Sequence, residues 1–221
     1  MNMFGLVFDV EGIYFCCFRQ PTTTSLILSF PIPPFTTIRG FLENALGYER
    51  DSFALQNTNL LIGIKPLGKI ERNAELAKIL KLVSREEKPC FKRTFPSAPM
   101  FKNFLVEPKY RIYLVGKENL INEISEKLEN PERPLYLGQS DDIVDVNSIQ
   151  VVNVEKTQSN EIWSIIEGVY KGCEIVKLPY RFINNGKDVE MKVFSVPEKL
   201  PFEMKKEIEC FKFGEENVWC I

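Results

Sequence analysis

The sequence contains no histidine among its 221 residues. Histidine is the commonest general base and the commonest zinc ligand, and it completes the Ser–His and Cys–His pairs of nucleophilic enzymes. Any catalysis by this chain would therefore depend on Tyr, Lys, Asp, Glu or Cys side chains. The absence excludes enzymes built on those pairs and zinc sites that need a histidine ligand.

Cysteine frameworks and long apolar runs are missing as well. The six cysteines form no Cys-x-x-Cys pair and are too few to cross-link the chain, so we expect reduced thiols and a cytoplasmic protein. Cys16 and Cys17 are adjacent on a predicted strand, where they would point to opposite faces and pack in the core. No apolar run approaches the roughly 20 residues that span a bilayer, and the first residues lack the features of a signal peptide.

The charge is nearly balanced overall but unevenly spread. Hydrophobic residues make up 44% of the chain and the net charge is −2, which predicts one good-sized globular domain or two small ones. Residues 84–117 carry eight basic and three acidic side chains, whereas residues 118–149 carry eight acidic and two basic ones. One basic segment in a nearly neutral chain favours a local polyanion contact over a wholly basic nucleic-acid coat.

Residues 29–47 combine a proline turn with the start and end of a helix. The prolines at 31, 33 and 34 force a turn, and the spacing of apolar residues predicts a helix over about 37–47. Thr36 or Thr37 is expected to cap this helix and Gly47 to end it. Arg39 and Gly40 fall in the first turn, whose N–H groups and positive dipole favour an anion, so the pattern indicates a bound phosphate.

The remaining elements predict an α+β protein. Strands are expected over 3–10 with 13–18, 60–64, 110–115 and 143–154, and helices over 72–84 and 120–128. The order is β-α-β, an insertion, then β-α-β, which is the βαββαβ arrangement of a ferredoxin-like, RRM-like domain. We place this domain at 1–155 and a small β-rich C-terminal lobe at 156–221. The lobe would contain a short helix near 160–168, a hairpin turning at the Asn-Asn-Gly-Lys of 184–187 and a second hairpin around Gly214.

The insertion at about 85–108 reads as a projecting β-hairpin thumb. It has four prolines and interleaves phenylalanines with the basic residues Lys88, Lys92, Arg93 and Lys102. Single-stranded nucleic acid needs cations for its phosphates and flat apolar surfaces for its bases, so this composition favours RNA. The alternative is an ordinary hairpin whose phenylalanines reach the core or a partner protein.

A second candidate site is the apolar stretch at 134–140, PLYLGQS, which ends in Gly138, Gln139 and Ser140. Glycine permits close backbone approach, and the serine with adjacent N–H groups could hold a phosphate. A plain strand-to-turn junction explains the same residues. The acids Asp141, Asp142 and Asp145 lack the spacing of a calcium loop, so we interpret them as a solvated acidic turn and expect no metal or cofactor.

Together these segments resemble the Cas-five family of CRISPR-associated proteins, in the repeat-associated (RAMP) superfamily. The resemblance rests on FDVEG at 8–12 followed by residues 15–19, on TIRGFLENALG at 37–47, and on PLYLGQS at 134–140. It covers roughly residues 1–150 in the family's order. Gln139 departs from the pattern, because the family usually has a basic residue there.

The resemblance implies a subunit of a type I, Cascade-like interference complex in antiviral defence. Such a subunit holds the 5′ handle of the guide CRISPR RNA, contacts a backbone Cas-seven subunit and a large Cas-eight-type subunit, and has no membrane partner. Positions that match the family place Arg39, the 138–140 loop and the basic residues of the thumb near RNA.

Two other functions remain open at this stage. One branch of the family cuts precursor CRISPR RNA without metal, using tyrosine, lysine and histidine; this chain lacks the histidine, so we expect no enzyme activity. A scaffold domain that binds only protein is the third possibility, and it predicts no preference for RNA and no salt dependence of binding.

Overall fold

The computed structural model describes residues 3–21, 26–80 and 97–221. The first half contains β1 (Met3–Gly12), β2 (Phe15–Cys16), β3 (Leu26–Ile27), α1 (Phe35–Ala45), a 3₁₀ turn (Ala54–Asn57), β4 (Leu61–Pro66), β5 (Glu71–Leu80), β6 (Ser97–Val106) and β7 (Lys109–Gly116). The second half contains α2 (Glu118–Glu129), β8 (Val144–Ile162), β9 (Ile166–Glu167), β10 (Cys173–Ile183), β11 (Asp188–Pro197), β12 (Phe202–Phe213) and β13 (Glu216–Val218). The protein is therefore mostly β with two helices, an α+β arrangement.

The main sheet has six strands in the order β13-β12-β8-β1-β7-β4, and every neighbouring pair is antiparallel. On β1, Leu6, Phe8 and Val10 alternate towards one face and are fully buried. Both helices cover this face, and the rings of Phe8 and Phe41 of α1 stack with centroids 6.3 Å apart. Burial of alternate residues thus fixes the strand register and forms the main core.

The opposite face of the sheet is covered by the C-terminal strands because the sheet curls. The 19-residue strand β8 pairs with β1 along its first part and with β12 along its second part. The backbones of Ile62 and Ile221 exchange two hydrogen bonds of 2.9 and 3.1 Å, which close the curl. A side chain at Gly63 would come within 2.6 Å of Val218, so glycine is required for this close approach.

A second sheet, β10-β11-β9, packs against α1. The rings of Phe35 on α1 and Phe194 on β11 lie 4.9 Å apart. The hairpin at 184–187 is confirmed, with Asn184 and Asn185 both at positive φ, and so is the hairpin around Gly214. The strands β12 and β13 belong to the same sheet as β1, and the division of the chain near residue 155 stays a prediction.

Two predicted helices are wrong. Residues 71–80 form strand β5, which pairs with β6 over ten residues, because cross-strand partners such as Leu76 and Phe101 outweigh the local helical spacing. Near 160–168, β8 continues to Ile162 in register with β12, and the following residues include β9. The strands β5 and β6 form an arm; the part of the predicted thumb at 85–96 lies outside the described residues.

The predicted helix at 37–47 is confirmed, although its start differs. Helix α1 begins at Phe35, and its N-cap is Pro34, whose side chain makes no capping bond; Thr36 and Thr37 lie inside the first turn. Gly47 follows the helix with φ +75°, as predicted for a terminating glycine. Within the described residues, neither helix has the length and apolarity needed to cross a bilayer.

Candidate nucleic-acid interface

A groove of about 620 Å³ lies between the start of α1, the segment 48–56 and the segment 133–140. Four of the nine candidate residues line it: Arg39, Gly40, Gly138 and Ser140. Gln139 lies between the last two and is hydrogen-bonded to Lys102. The other three candidates, Lys88, Lys92 and Arg93, lie outside the described residues. Two sequence motifs separated by about 100 residues therefore meet at one surface.

Arg39 is a buried cation in the wall of this groove. Its residue is 6% exposed, and its Nη1 donates a hydrogen bond of 2.8 Å to the carbonyl oxygen of Tyr180. The guanidinium carbon lies 5.3 Å from the centroid of the Tyr180 ring. Its Nε has no hydrogen-bond partner, and no carboxylate among the described residues forms an ion pair with it. Burial lowers the pKa of Arg39 more than Tyr180 and the charge of Glu43 raise it, so the buried charge is held at a cost.

The N-terminus of α1 adds positive potential beside Arg39. Thr36 and Thr37 line the groove in the first turn, where backbone N–H groups lack acceptors within the helix. This turn contains no acidic side chain that would neutralise the helix dipole. Gly40 is exposed, and a Cβ atom added there would meet nothing within 4 Å. A ligand could therefore approach the helix backbone closely at this point.

The buried side chain of Asp142 holds the loop at 137–142 in place through two hydrogen bonds. Its Oδ2 accepts hydrogen bonds from the backbone N–H groups of Cys17, at 2.8 Å, and Gln139, at 3.1 Å. Asp142 is 5% exposed, and this burial raises the pKa of its carboxyl group. The prediction of a solvated acidic turn is therefore wrong for Asp142 and right for the exposed Asp141 and Asp145. No group of His, Cys, Asp or Glu suited to a metal occurs in the described part of the chain.

Gly138 belongs to the same loop and packs tightly against the backbone of Cys17. It has φ +114°, which side-chain-bearing residues rarely adopt, and a Cβ there would lie 2.9 Å from the carbonyl oxygen of Cys17. Ser140 is exposed at the rim of the groove. The glycine thus permits close packing against the backbone of Cys17, while the serine faces outward where a ligand can reach it.

Lys102 connects the arm to this loop. Its Nζ, on β6, donates a hydrogen bond of 2.6 Å to the side-chain Oε1 of Gln139. An amide oxygen neutralises no charge, so the ammonium group of Lys102 remains a full cation beside the loop. Gln139, where a basic residue is usual in the resembling family, therefore receives a basic partner from another strand.

Several other residues of the groove were not among the candidates predicted from the sequence. Arg133 donates hydrogen bonds to the carbonyl oxygens of Tyr48 and Gly47, at 2.6 and 3.0 Å, and so covers the C-terminal end of α1. Arg50 is exposed at the rim, and its only described carboxylate partner is Asp51 at 3.7 Å. Two aromatic side chains, Tyr136 and Phe182, also line the groove. Basic and aromatic residues are common in loops, and only the tertiary fold brings these together.

Comparison with known proteins identifies one family. A sequence model described as CRISPR-associated protein (Cas_Cas5) matches residues 5–168. Among curated proteins, no sequence matches significantly. The matched range includes α1 and the segments 48–56 and 133–140 that line the groove, and it ends before β10, which supplies Tyr180.

Solved structures of CRISPR proteins share the fold. A chain of a CRISPR RNA-guided surveillance complex superposes with a TM-score of 0.61 at 13% identity, covering 91% of this chain and 94% of that one. A CRISPR protein from Archaeoglobus fulgidus gives 0.54 at 16% identity, covering 97% and 98%. A chain of a type III-B Cmr-beta complex bound to cognate target RNA gives 0.50 at 11%, covering 92% and 86%. At these identities the similarity concerns the fold.

Proposed function

The chain belongs to the Cas5 family of CRISPR-associated proteins, and from that premise we propose that it is a non-catalytic RNA-binding subunit of a Cascade-like interference complex. In this role it holds the 5′ handle of the guide RNA in the groove and bridges the backbone and large subunits. We infer that the domain that carries the groove is ferredoxin-like. Its strand order β8-β1-β7-β4, with two helices on one face of the sheet, supports the predicted βαββαβ topology.

One observation carries the RNA proposal. The buried guanidinium of Arg39 has a free Nε and no carboxylate partner among the described residues, and it lies in a groove with the N-terminus of α1 and the 138–140 loop. A buried cation is costly unless an anion compensates it. Phosphate is the anion that suits a guanidinium, first-turn N–H groups and a serine hydroxyl together. The aromatic side chains Tyr136 and Phe182 offer surfaces for unstacked bases.

The curl of the sheet favours the groove over the surface that RRM domains use. Those domains stack bases on the sheet face opposite the helices. Here that face is occupied: the ring of Tyr113 on β7 packs 5.0 Å from that of Phe213 on β12, and Gly63 contacts Val218. The C-terminal strands thus cover the face on which RRM domains stack bases, and this favours the groove on the helix side for RNA.

Protein partners are supported by exposed apolar side chains at the arm. Leu76 and Phe101 are cross-strand neighbours on β5 and β6 and are 60% and 58% exposed. Tyr14 and Phe15, near the base of the arm, are 70% and 51% exposed. Large exposed apolar side chains concentrated in one region usually mark a protein interface. We assign this region to a neighbouring subunit of the complex.

The absence of cleavage is part of the proposal. RNA cleavage without metal needs a base to activate a 2′-OH and an acid for the leaving oxygen. Tyr48, one of two tyrosines that line the groove, has its pKa raised by burial, which makes its phenolate less available as a base. The chain has no histidine to supply either role.

The first experiment combines binding and cleavage. Purified protein is incubated with end-labelled CRISPR repeat RNA in EDTA and analysed on native and denaturing gels in parallel. A shifted, intact RNA is the expected result. A discrete product would instead identify a processing nuclease. If the RNA is neither shifted nor cut, that result would contradict RNA binding by this chain.

Variants then test the groove. Arg39→Gln is expected to weaken RNA binding by about tenfold, because one phosphate contact is lost. The negative slope of log K against log salt should become shallower by about one. Lys156→Gln is the charge-matched control, since Lys156 is exposed on β8 and paired with Glu209. Equal affinities for the two variants, both folded by thermal melting, would remove Arg39 from the RNA site.

A further inference from the structure

One buried carboxylate, that of Asp142, ties the loop at 138–140 to the chain segment that packs beneath it. Asp142 is 5% exposed, and both of its backbone-directed hydrogen bonds go to the same atom, Oδ2. One donor, the N–H of Gln139, belongs to the loop, and the other, the N–H of Cys17, belongs to the residue that follows β2. The single oxygen therefore joins the loop to this segment across 125 residues of sequence.

Backbone hydrogen bonds complete this arrangement. The N–H of Asp142 donates to the carbonyl oxygen of Gln139, and the N–H of Leu137 donates to that of Asp142, both at 3.0 Å. Gly138 leaves room for the carboxylate, since a Cβ there would lie 3.0 Å from Oδ2. The loop is consequently closed around Asp142, with Gln139 and Ser140 on its outer side.

The outer side of the loop faces Lys102, which is the second cation of the proposed site after Arg39. The side chain of Gln139 accepts the hydrogen bond from Lys102 of the arm, and Ser140 lines the groove. A shift of Gln139 would therefore move the contact with the arm and the groove rim together. Loop position and the relation of the arm to the groove are set by the same carboxylate.

We propose that Asp142 is a positioning residue for RNA binding: it fixes the loop at 138–140 so that Gln139 with Lys102, and Ser140, present one phosphate-binding rim. This inference rests on the proposed function. Asp142 itself is covered by the loop and does not contact the RNA. Its role is to hold two N–H groups, and the oxygen that accepts them is sufficient for that role.

The test uses three variants of the full chain. Asp142→Ala removes the acceptor, Asp142→Asn keeps one oxygen for both N–H groups, and Asp141→Ala removes the exposed neighbouring charge as a control. We expect Asp142→Ala to bind repeat RNA about tenfold more weakly, Asp142→Asn to stay within about threefold of wild type, and Asp141→Ala to be unchanged. Should the alanine variant fail to unfold cooperatively, Asp142→Ser replaces it, because its hydroxyl is too short to reach both donors.

Hydrogen exchange provides a readout that is independent of RNA. The amides of Cys17 and Gln139 are expected to exchange faster in Asp142→Ala and at the wild-type rate in Asp142→Asn, while core amides of β1 stay protected in both. Unchanged exchange in the alanine variant would contradict the positioning role. Faster exchange with wild-type RNA affinity would also overturn it and leave the proposed function intact. Failure of the wild-type protein itself to bind RNA would overturn the proposed function, and this inference with it.

Discussion

The Nζ atom of Lys65, on β4, lies 2.5 Å from Oε1 of Glu216, on β13, across 151 residues of sequence. The other carboxylate oxygen of Glu216 accepts a hydrogen bond from the hydroxyl of Tyr113 on β7. The ammonium group of Lys65 also lies 4.5 Å from the centroid of the Trp163 ring. Burial, together with the bond to Glu216, raises the pKa of Tyr113. One carboxylate therefore ties the two ends of the curled sheet together.

Replacing this carboxylate should destabilise the fold. Glu216→Ala leaves Lys65, with a side chain only 11% exposed, without its counter-ion, so we expect a loss of about 3 kcal/mol in the free energy of unfolding. Glu209→Ala is the matched control, because its ion pair with Lys156 is exposed and is worth about 0.5 kcal/mol or less. Urea denaturation of both variants measures the difference. Equal losses would show that the Lys65–Glu216 pair does not close the sheet.

Local signals in the sequence predicted the local parts of the fold. The proline turn, the apolar spacing of α1 and the terminating Gly47 depend on residues within one or two turns of each other, and the structure agrees with them. The hairpin at 184–187 follows from the φ > 0 that its Asn-Asn-Gly turn tolerates. The two motifs predicted to bind phosphate also meet at one groove.

Contacts between distant segments could not be predicted in the same way. Strand β5 has helical spacing of its apolar residues, and its identity depends on pairing with β6 about 25 residues later. The carbonyl oxygen that accepts from Arg39 belongs to Tyr180, 141 residues away. Asp142 looked like one of three solvated acids, and only the position of Cys17 makes it a buried acceptor. Sequence spacing carries no information about such partners.

Gly40 offers a way to separate stability from RNA binding. It lies in α1 with no atom within 4 Å of an added Cβ, so Gly40→Ala should raise the free energy of unfolding by about 0.5–1 kcal/mol through helix propensity. Gly40→Leu should also fold, but its side chain would project into the groove and weaken RNA binding by about tenfold or more. Thermal melts and filter binding measure the two effects. Undiminished RNA affinity in the leucine variant would contradict close approach of RNA to α1.

Asp142 should make stability depend on pH in a defined direction. Burial raises its folded-state pKa above the ordinary 3.8, so the folded protein binds this proton more tightly than the unfolded chain. The contribution of the protonated carboxyl is fully present below the unfolded pKa and is lost as pH rises through the folded pKa. The unfolding free energy of Asp142→Asn minus that of wild type should therefore increase between pH 4 and pH 7. Urea denaturation across this range tests it, and a difference that decreases with pH would contradict the raised pKa.

Thiol reactivity provides the last prediction. Burial, with a smaller effect of the Asp142 charge, raises the pKa of Cys16 to about 12, so almost none of it is thiolate at pH 8. Cys173 is half-buried, so although burial also raises its pKa, the residue is more exposed than the fully buried Cys16. A short pulse of iodoacetamide at pH 8 should therefore modify Cys173 well before Cys16 in the native protein, as measured by peptide mass spectrometry. In urea both should react at similar rates, because the difference comes from the fold. Native labelling of Cys16 at the rate of Cys173 would show that the strand carrying Cys16 opens readily, and with it the support of the 137–142 loop.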